Sequence, residues 1–440
     1  MGEVSPLKRY HEVVVVGGGW AGVSAAIAAK KAGCDVAICE RTDMLLGAGL
    51  VGGIMRNNGR FTAAEEAIAM GIGDLFHLLD GISRHKNVGF PGHSHANLYD
   101  VFLVEPRVRG LLERSGIHVY TGKRITGLRR DGGRITAVTS EDGDVLCAEA
   151  FVDTTGSSGP PGMCRRFGNG CVACIQRCPA FGPRVSLTSL MGLPEFMSSR
   201  RRGAYGAMSG SCKIHKETLS KDIREELERT GVVVVPLPER LRNPSKLETK
   251  VCQQYALREY ADSLILLDTG HAKLMSPYFP LEELRSVEGF EEARYADPLA
   301  GGTGNSVRLT AVSPRDFTMK ATGTDNLFVG GERAGVCVGH TEAIVTGALA
   351  GRNAALLARK KPLTVIPGDT AIGDFIAQSA IDTSGNPLTP GSHGLSASHT
   401  FAGSVYFERM KSLGLYSSDP VEIARRVRSC GAEGLFLAGE

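Results

Sequence analysis

Residues 13–40 restrict this chain to very few folds. Val13-Val-Val-Val16 is a run of β-branched residues without polar alternation, the pattern of a strand buried in a parallel sheet. Gly17-Gly-Gly19-Trp-Ala-Gly22 follows at once. Val23-Ser-Ala-Ala-Ile-Ala-Ala-Lys-Lys-Ala32 then has strong helix character and stops at Gly33. A second strand, Asp35-Val-Ala-Ile-Cys39, ends at Glu40. Strand, G-x-G-x-x-G, helix, strand and acid stand in the order and spacing of a dinucleotide-binding unit. Each part has a physical reason. Gly17 makes the tight turn, Gly19 lets a diphosphate approach the backbone, and Gly22 lets helix and strand pack closely. The helix start offers free N–H groups to phosphate oxygens. Glu40 is placed to accept hydrogen bonds from a ribose diol.

The unit does not choose between dinucleotides; three later segments do. Gly122 to Val138 reads as a β-hairpin with an Asp-Gly turn. Glu149-Ala-Phe-Val-Asp-Thr-Thr-Gly156 is a strand ending in a Gly turn. Asp325-Asn-Leu-Phe-Val-Gly-Gly-Glu332 is a strand and loop, and the small-residue helix from Gly339 to Ala354 follows it. On these residues the chain resembles the FAD-dependent oxidoreductases of the glutathione-reductase structural group. It is most similar to the branch of Gly-rich flavoproteins that includes glucose-inhibited division protein A and the folate-dependent tRNA methyltransferases. The resemblance covers roughly residues 11–160 and 305–360. It implies an α/β fold: a Rossmann-like FAD-binding domain, a parallel sheet with helices plus a β-hairpin or meander, carrying an inserted α+β substrate domain.

The resemblance also implies the cofactor and its contacts. The ADP half of FAD falls to Gly17, Gly19, Trp20, Ala21, Gly22, Glu40 and Arg41, with Gly47, Ile125, Thr155 and Gly156 along the same path. Gly331-Glu332 matches the motif that holds the flavin ribityl, with Glu in place of the more usual Asp. Gly339, His340 and Thr341 open the helix whose N-terminus faces the flavin pyrimidine ring, where reduced flavin gains negative charge. Small residues also suit plain close packing of that helix. Arg56 and Arg60, in the Gly-rich loop after the ribose acid, are candidates for substrate contact or ordinary surface residues.

At 440 residues, the chain exceeds one ordinary core. The expected division is residues 1–160 and 311–360 as the two parts of the FAD-binding domain, 161–310 as an inserted substrate domain, and 361–440 as a C-terminal cap or tail. That tail is rich in Gly, Pro and Ser to about residue 397, which suggests surface loops. Gly434-Leu-Phe-Leu-Ala-Gly-Glu440 echoes Asn326 to Glu332, but the flanks do not repeat. A net charge of +3 gives no general argument for nucleic acid or an anionic membrane. No stretch reaches the ~18 apolar residues of a membrane span. The N-terminus lacks a signal-peptide pattern, and Pro6 argues against myristoylation. A cytoplasmic location and a homo-oligomer are expected.

Cysteine adds a second theme. Four of the 11 cysteines lie between 164 and 178, where Cys171-x2-Cys174-x3-Cys178-Pro179 matches the last three cysteines of a bacterial ferredoxin run. The first cysteine of that run would fall at Gly168, so Cys164, Cys212 and Cys252 compete as a fourth ligand. A 4Fe-4S cluster on Cys164, Cys171, Cys174 and Cys178 stands beside three alternatives: a catalytic Cys171–Cys174 dithiol, zinc, or no cofactor. Cys34, Cys39, Cys147 and Cys337 sit in apolar segments as core residues. Gly231-Val-Val-Val-Val-Pro236 reads as a buried strand. His93-Ser-His95 has metal-ligand spacing but no evident third ligand, and Arg200-Arg-Arg202 reads as a solvated face, with an anionic-substrate or tRNA site as the alternative. The expectation is a FAD-dependent oxidoreductase that passes electrons between flavin and a small-molecule substrate or redox partner protein. Flavin-dependent tRNA modification and a non-catalytic electron-transfer subunit are the alternatives.

Overall fold

In the computed structural model, residues 9–156, 178–197, 207–208, 211–248, 253–276, 279–296, 307–308 and 311–437 are described. Strand β1 (Tyr10–Val16) leads through the glycine turn into α1 (Trp20–Lys31) and β2 (Val36–Cys39). β1 and β2 run parallel from Val13↔Val36 to Val16↔Cys39. On its other edge β1 pairs in parallel with β9 (Val145–Asp153), and β6 (His118–Tyr120) extends the sheet beyond β2. β7 (Ile125–Asp131) and β8 (Arg134–Ser140) return antiparallel to β9, which makes the expected hairpin a meander. The late strand β16 (Leu327–Val329) pairs in parallel with β9. The order is β6-β2-β1-β9-β8-β7, with β16 also on β9.

This fold is α/β, with a parallel sheet covered by helices. Val13, Val14 and Val15 are wholly buried, each worth about 1.5–3 kcal/mol of apolar transfer. Helix α6 (His340–Ala358) lies directly along α1. Gly347 and Gly351 permit this. A Cβ on them would stand 2.1 Å from the Ala21 carbonyl oxygen and 2.0 Å from that of Ala25. Ser24 Oγ donates to the Ile344 carbonyl across the same contact at 2.8 Å.

A second unit has its own core. β11 (Cys212–Ile214), β12 (Val232–Pro236), β13 (Ser263–Asp268) and β14 (Ala272–Leu274) form an antiparallel sheet in the order β11-β14-β13-β12. Helix α5 (Lys221–Thr230) packs on it, and Leu227, Leu266, Leu274 and Phe290 fill its centre. The valine run at 232 is not fully buried: β12 is an edge strand in this sheet, and Val234 is 44% exposed. Apolar composition marked the strand but not its edge position. β10 (Ala207–Met208) and β15 (Val307–Arg308) pair with each other.

A small antiparallel sheet joins the units. It comprises β3 (Ile54–Met55), β4 (Ser83–Phe90) and β5 (His93–Tyr99). Ile54, Phe90 and Leu98 share a cluster with Ile265, Leu267 and Met275 of the second unit. Helices α2 (Gly59–Ala69), α3 (Asp74–Gly81) and α4 (Val104–Arg114) flank it.

Residues 361–437 contain α7 (Ala371–Gln378), α8 (Ser404–Ser412) and α9 (Pro420–Ser429), as well as turns. Loop-like composition concealed α7, whose Ile372, Phe375 and Ile376 are buried in the main core. The buried Glu66 of α2 caps its start, accepting from Ala371 N and Ile372 N at 2.9 Å each. Gly434 N and Phe436 N donate to the Ala69 and Met70 carbonyls at the end of α2. Among the described residues no helix is long and apolar enough to cross a membrane.

Candidate functional site

One long cavity opens at the carboxyl ends of β1, β2, β9 and β16, where open α/β sheets place their ligands. The glycine turn leads into it. Gly17 has φ +103°, and a Cβ there would lie 2.5 Å from the Thr154 carbonyl oxygen. Gly17, Gly19, Trp20, Ala21, Glu40, Arg41, Gly47, Ile125, Thr155, Gly156, Gly331, Glu332, Gly339 and His340 all line this cavity. Gly22 and Thr341 do not. Gly22 acts in packing: its Cβ would fall 1.8 Å from the Gly17 carbonyl oxygen. Thr341 is buried within α6.

Backbone donors orient the carboxylate that follows β2. Glu40 accepts from Gly18 N at 2.7 Å and Thr42 N at 2.9 Å. Beside it, Arg41 donates to the Gly182 carbonyl, and Arg124 Nε donates to that of Pro183 at 3.0 Å. These contacts draw residues 182–185 onto the wall, where Arg184 and Val185 join the lining. Arg184 is buried and ion-paired to Glu195 at 3.2 Å. Its Nε and Nη1 have no hydrogen-bond partner among the described residues.

At the other end, His340 opens α6. Its Nδ1 lies 3.3 Å from the Tyr99 hydroxyl, and its ring is 5.5 Å from that of Trp20. Burial pushes the Tyr99 phenol above its ordinary range. Gly339, at φ +143°, leaves room for a buried pair: Arg60 Nε donates to Glu342 at 3.0 Å. Glu342 also accepts from Phe401 N at 2.9 Å. Arg60 therefore lines the cavity with a head committed to Glu342 and the Val338 carbonyl. Arg56 lies off the wall, paired with Asp80 and Glu65.

The second unit closes this end with Gln254, Tyr255, Lys273 and Met275. Lys273 Nζ donates to the Val51 carbonyl at 2.6 Å and to Ser211 Oγ at 2.8 Å, tying β14 to the Gly-rich loop. These four residues, and Arg184, were not identified from sequence. They come from segments far from the glycine motif, with no local pattern pointing to a cavity. Lys123 and Arg124 were recoverable, since both directly precede Ile125.

The cavity passes a test of fit to a large polar ligand. Trp20 Nε1, Arg184 Nε and Nη1, and Gln254 Oε1 are buried polar atoms on lining residues with no hydrogen-bond partner among the described residues. Such atoms cost about 1–3 kcal/mol each unless something meets them. A Cβ at Gly19, Gly47 or Gly156 would meet nothing within 4 Å. The glycines leave open space there.

Other candidates resolve differently. His93 Nδ1 accepts from Asn57 at 2.9 Å, and its Nε2 donates to the Gln254 carbonyl at 3.1 Å. His95 instead meets Asn87, so the two imidazoles do not converge. Burial, with Arg60 nearby, pushes His93 down to about 3. Cys34, Cys39 and Cys337 are buried, and burial pushes the Cys39 and Cys337 thiols up to about 12. Cys147 is half-buried, and Cys212 sits in the second core. Cys164, Cys171, Cys174, Cys252 and Arg200 to Arg202 lie outside the described residues. Cys178 opens the short helix Cys178–Phe181.

A dinucleotide fold closed by a late strand and a small-residue helix around one cavity is that of a FAD-dependent oxidoreductase of the glutathione-reductase group. The sequence profile described as glucose inhibited division protein A matches residues 12–264 and 267–362, and the chain belongs to that family. Solved structures that share the fold include two crystal forms of one protein. Aquifex aeolicus GidA in its form II crystal superposes with a TM-score of 0.65 at 17% identity, over 96% of this chain and 76% of that one. The form I crystal gives 0.58 at 15% identity, over 96% and 78%. The chain is a flavoenzyme.

Proposed function

We propose that this protein transfers an electron pair between FAD and a small-molecule substrate admitted against the wall formed by Gln254, Tyr255, Lys273 and Met275. The carrying observation is the set of unmet buried polar atoms along one cavity that also contains the glycine turn and Glu40. Gly17, Gly19 and the start of α1 would hold the diphosphate, with Glu40 and Arg41 at the adenosine ribose and Ile125 beside the adenine. Thr155 and Gly156 would flank the diphosphate, and Glu332 would meet the ribityl chain. Bound FAD supplies reversible two-electron chemistry. The start of α6 offers a positive pole and free N–H groups to negative charge at its end of the cavity. His340, against the Tyr99 hydroxyl, would place an imidazole hydrogen-bonding group at that end. In this reading residues 1–160 and 311–360 hold the cofactor, 161–310 shape the substrate side, and 361–440 cap the assembly.

The cysteine run extends the proposal. Support comes from its spacing and its flanks: Gly156 on one side, and Arg184 and Val185 on the other, line the cavity. Electrons would pass through a cluster on Cys164, Cys171, Cys174 and Cys178, or through a Cys171–Cys174 dithiol. Anaerobic purification with iron and acid-labile sulfide assays tests this. Iron and sulfide that disappear in Cys174→Ser support the cluster; flavin without iron removes it and leaves the dithiol. A second reading, flavin-dependent tRNA modification, rests on the resemblance to the tRNA methyltransferase branch. A salt-dependent gel shift with tRNA would favour it, while the near-neutral charge counts against it.

A further inference from the structure

The amino ends of the main sheet carry a second group of chemistry-bearing residues. His11 lies near the start of β1, Asp35 immediately precedes β2, and His118 opens β6. The three strands are neighbours in the order β6-β2-β1, so the side chains converge from three separate segments. His11 Nδ1 is 2.7 Å from Asp35 Oδ2, and His118 Nε2 is 3.4 Å from Asp35 Oδ1. One ligand atom from each residue lies within 4.8 Å of the others. The His11 and His118 ring centroids are 4.9 Å apart, and Tyr120 stacks on His118 at 6.3 Å, with 19° between planes. His11 is wholly buried. Among the described residues no other group of three such side chains is so arranged.

We propose that His11, Asp35 and His118 form a divalent transition-metal site, with zinc as the best-fitting ion. Two imidazoles and one carboxylate suit a borderline ion and not calcium or magnesium, which favour oxygen ligands throughout. Tetrahedral zinc with bonds of about 2.0–2.1 Å sets ligand atoms about 3.3 Å apart, so small shifts of the two histidines complete the triangle. Three protein ligands leave a fourth position for water. The site lies at the opposite ends of the strands from the flavin cavity. With five residues from His11 to Val16, it is about 17 Å away along β1. Its role is to clamp the amino ends of β1, β2 and β6, outside the electron path.

Cobalt(II) titration of the purified, chelator-treated holoenzyme tests the proposal. The wild-type protein should bind a cobalt ion whose spectrum lacks a thiolate charge-transfer band, which separates this site from the cysteine run. His118 is half-exposed, so His118→Gln should fold. It should lose that ion, with affinity falling about 100-fold or more, while FAD content stays unchanged. Asp35→Asn should do the same. Equal cobalt binding by wild type and His118→Gln, or no thiolate-free cobalt signal in wild type, would overturn the site and leave a hydrogen-bonded His–Asp–His group. Neither outcome depends on the flavin reading, which FAD content reports separately.

Discussion

Arg184 is a buried guanidinium with one carboxylate partner and two nitrogens that meet no acceptor among the described residues, on the wall of the cavity. Hydrogen bonds to charged groups contribute about 1.5–3 kcal/mol each. Arg184→Ala should therefore weaken FAD binding about 10- to 100-fold in a flavin-fluorescence titration of the apoprotein. Riboflavin, which lacks the ADP half, should bind almost as before; equal losses for both would contradict a contact to that half. Cys39 and Cys337, with thiols pushed up to about 12, should resist alkylation of the native protein at neutral pH. Mass spectrometry of the alkylated peptides checks this. Glu40 and the three motif glycines were readable because their roles are local: a turn, a helix start and a strand end lie within thirty residues of each other. Arg184, Gln254 and Lys273 were not, because only the docking of distant segments brings them to the wall.

The crossing of α1 and α6 is set by the absence of side chains. Gly347→Val would drive atoms into the Ala21 carbonyl and cost about 1–3 kcal/mol or more, measured by chemical denaturation. Gly81→Ala, in α3 with open space around its Cβ position, should be neutral or slightly stabilising. Similar losses in both would contradict the packing argument. The small-residue helix read from sequence as flavin-facing or merely packing does pack, and its first residues also line the cavity. Elements with their own periodicity or glycine punctuation could be read from sequence: β1, α1, β2, the hairpin and α6. The edge position of β12 and the existence of α7 could not, since both depend on which neighbours cover them. The buried anchor for α7 is Glu66, 305 residues earlier in the chain.

The two cores are tied together through Asp268. This buried carboxylate of β13 accepts from Arg84 and His85 of β4 and from Lys216, each at 3.0 Å. Burial opposes its charge, but hydrogen bonds from His85, Lys216 and Arg84 prevail and hold it below the ordinary range. Its contribution is complete above the unfolded value of about 3.9 and is lost as pH falls through the lower folded value. Asp268→Asn should cost on the order of 3 kcal/mol at neutral pH, and its melting temperature should converge with wild type in acid. A constant difference across pH would show that charge is not the cause. His93 and His399, pushed down by burial to about 3 and about 4, act earlier. Below about pH 6.5 the unfolded chain binds protons that these folded histidines refuse, so stability declines from there downward. The central claim is that the cavity at the carboxyl ends of the sheet holds FAD. The most direct measurement is the visible spectrum and extracted flavin of the purified protein, beside a Gly19→Val variant. Stoichiometric FAD in the wild type, with bands that bleach on reduction and are lost in the variant, is the predicted result. A colourless wild-type protein that takes up no added FAD, or a variant that retains it fully, would contradict the account.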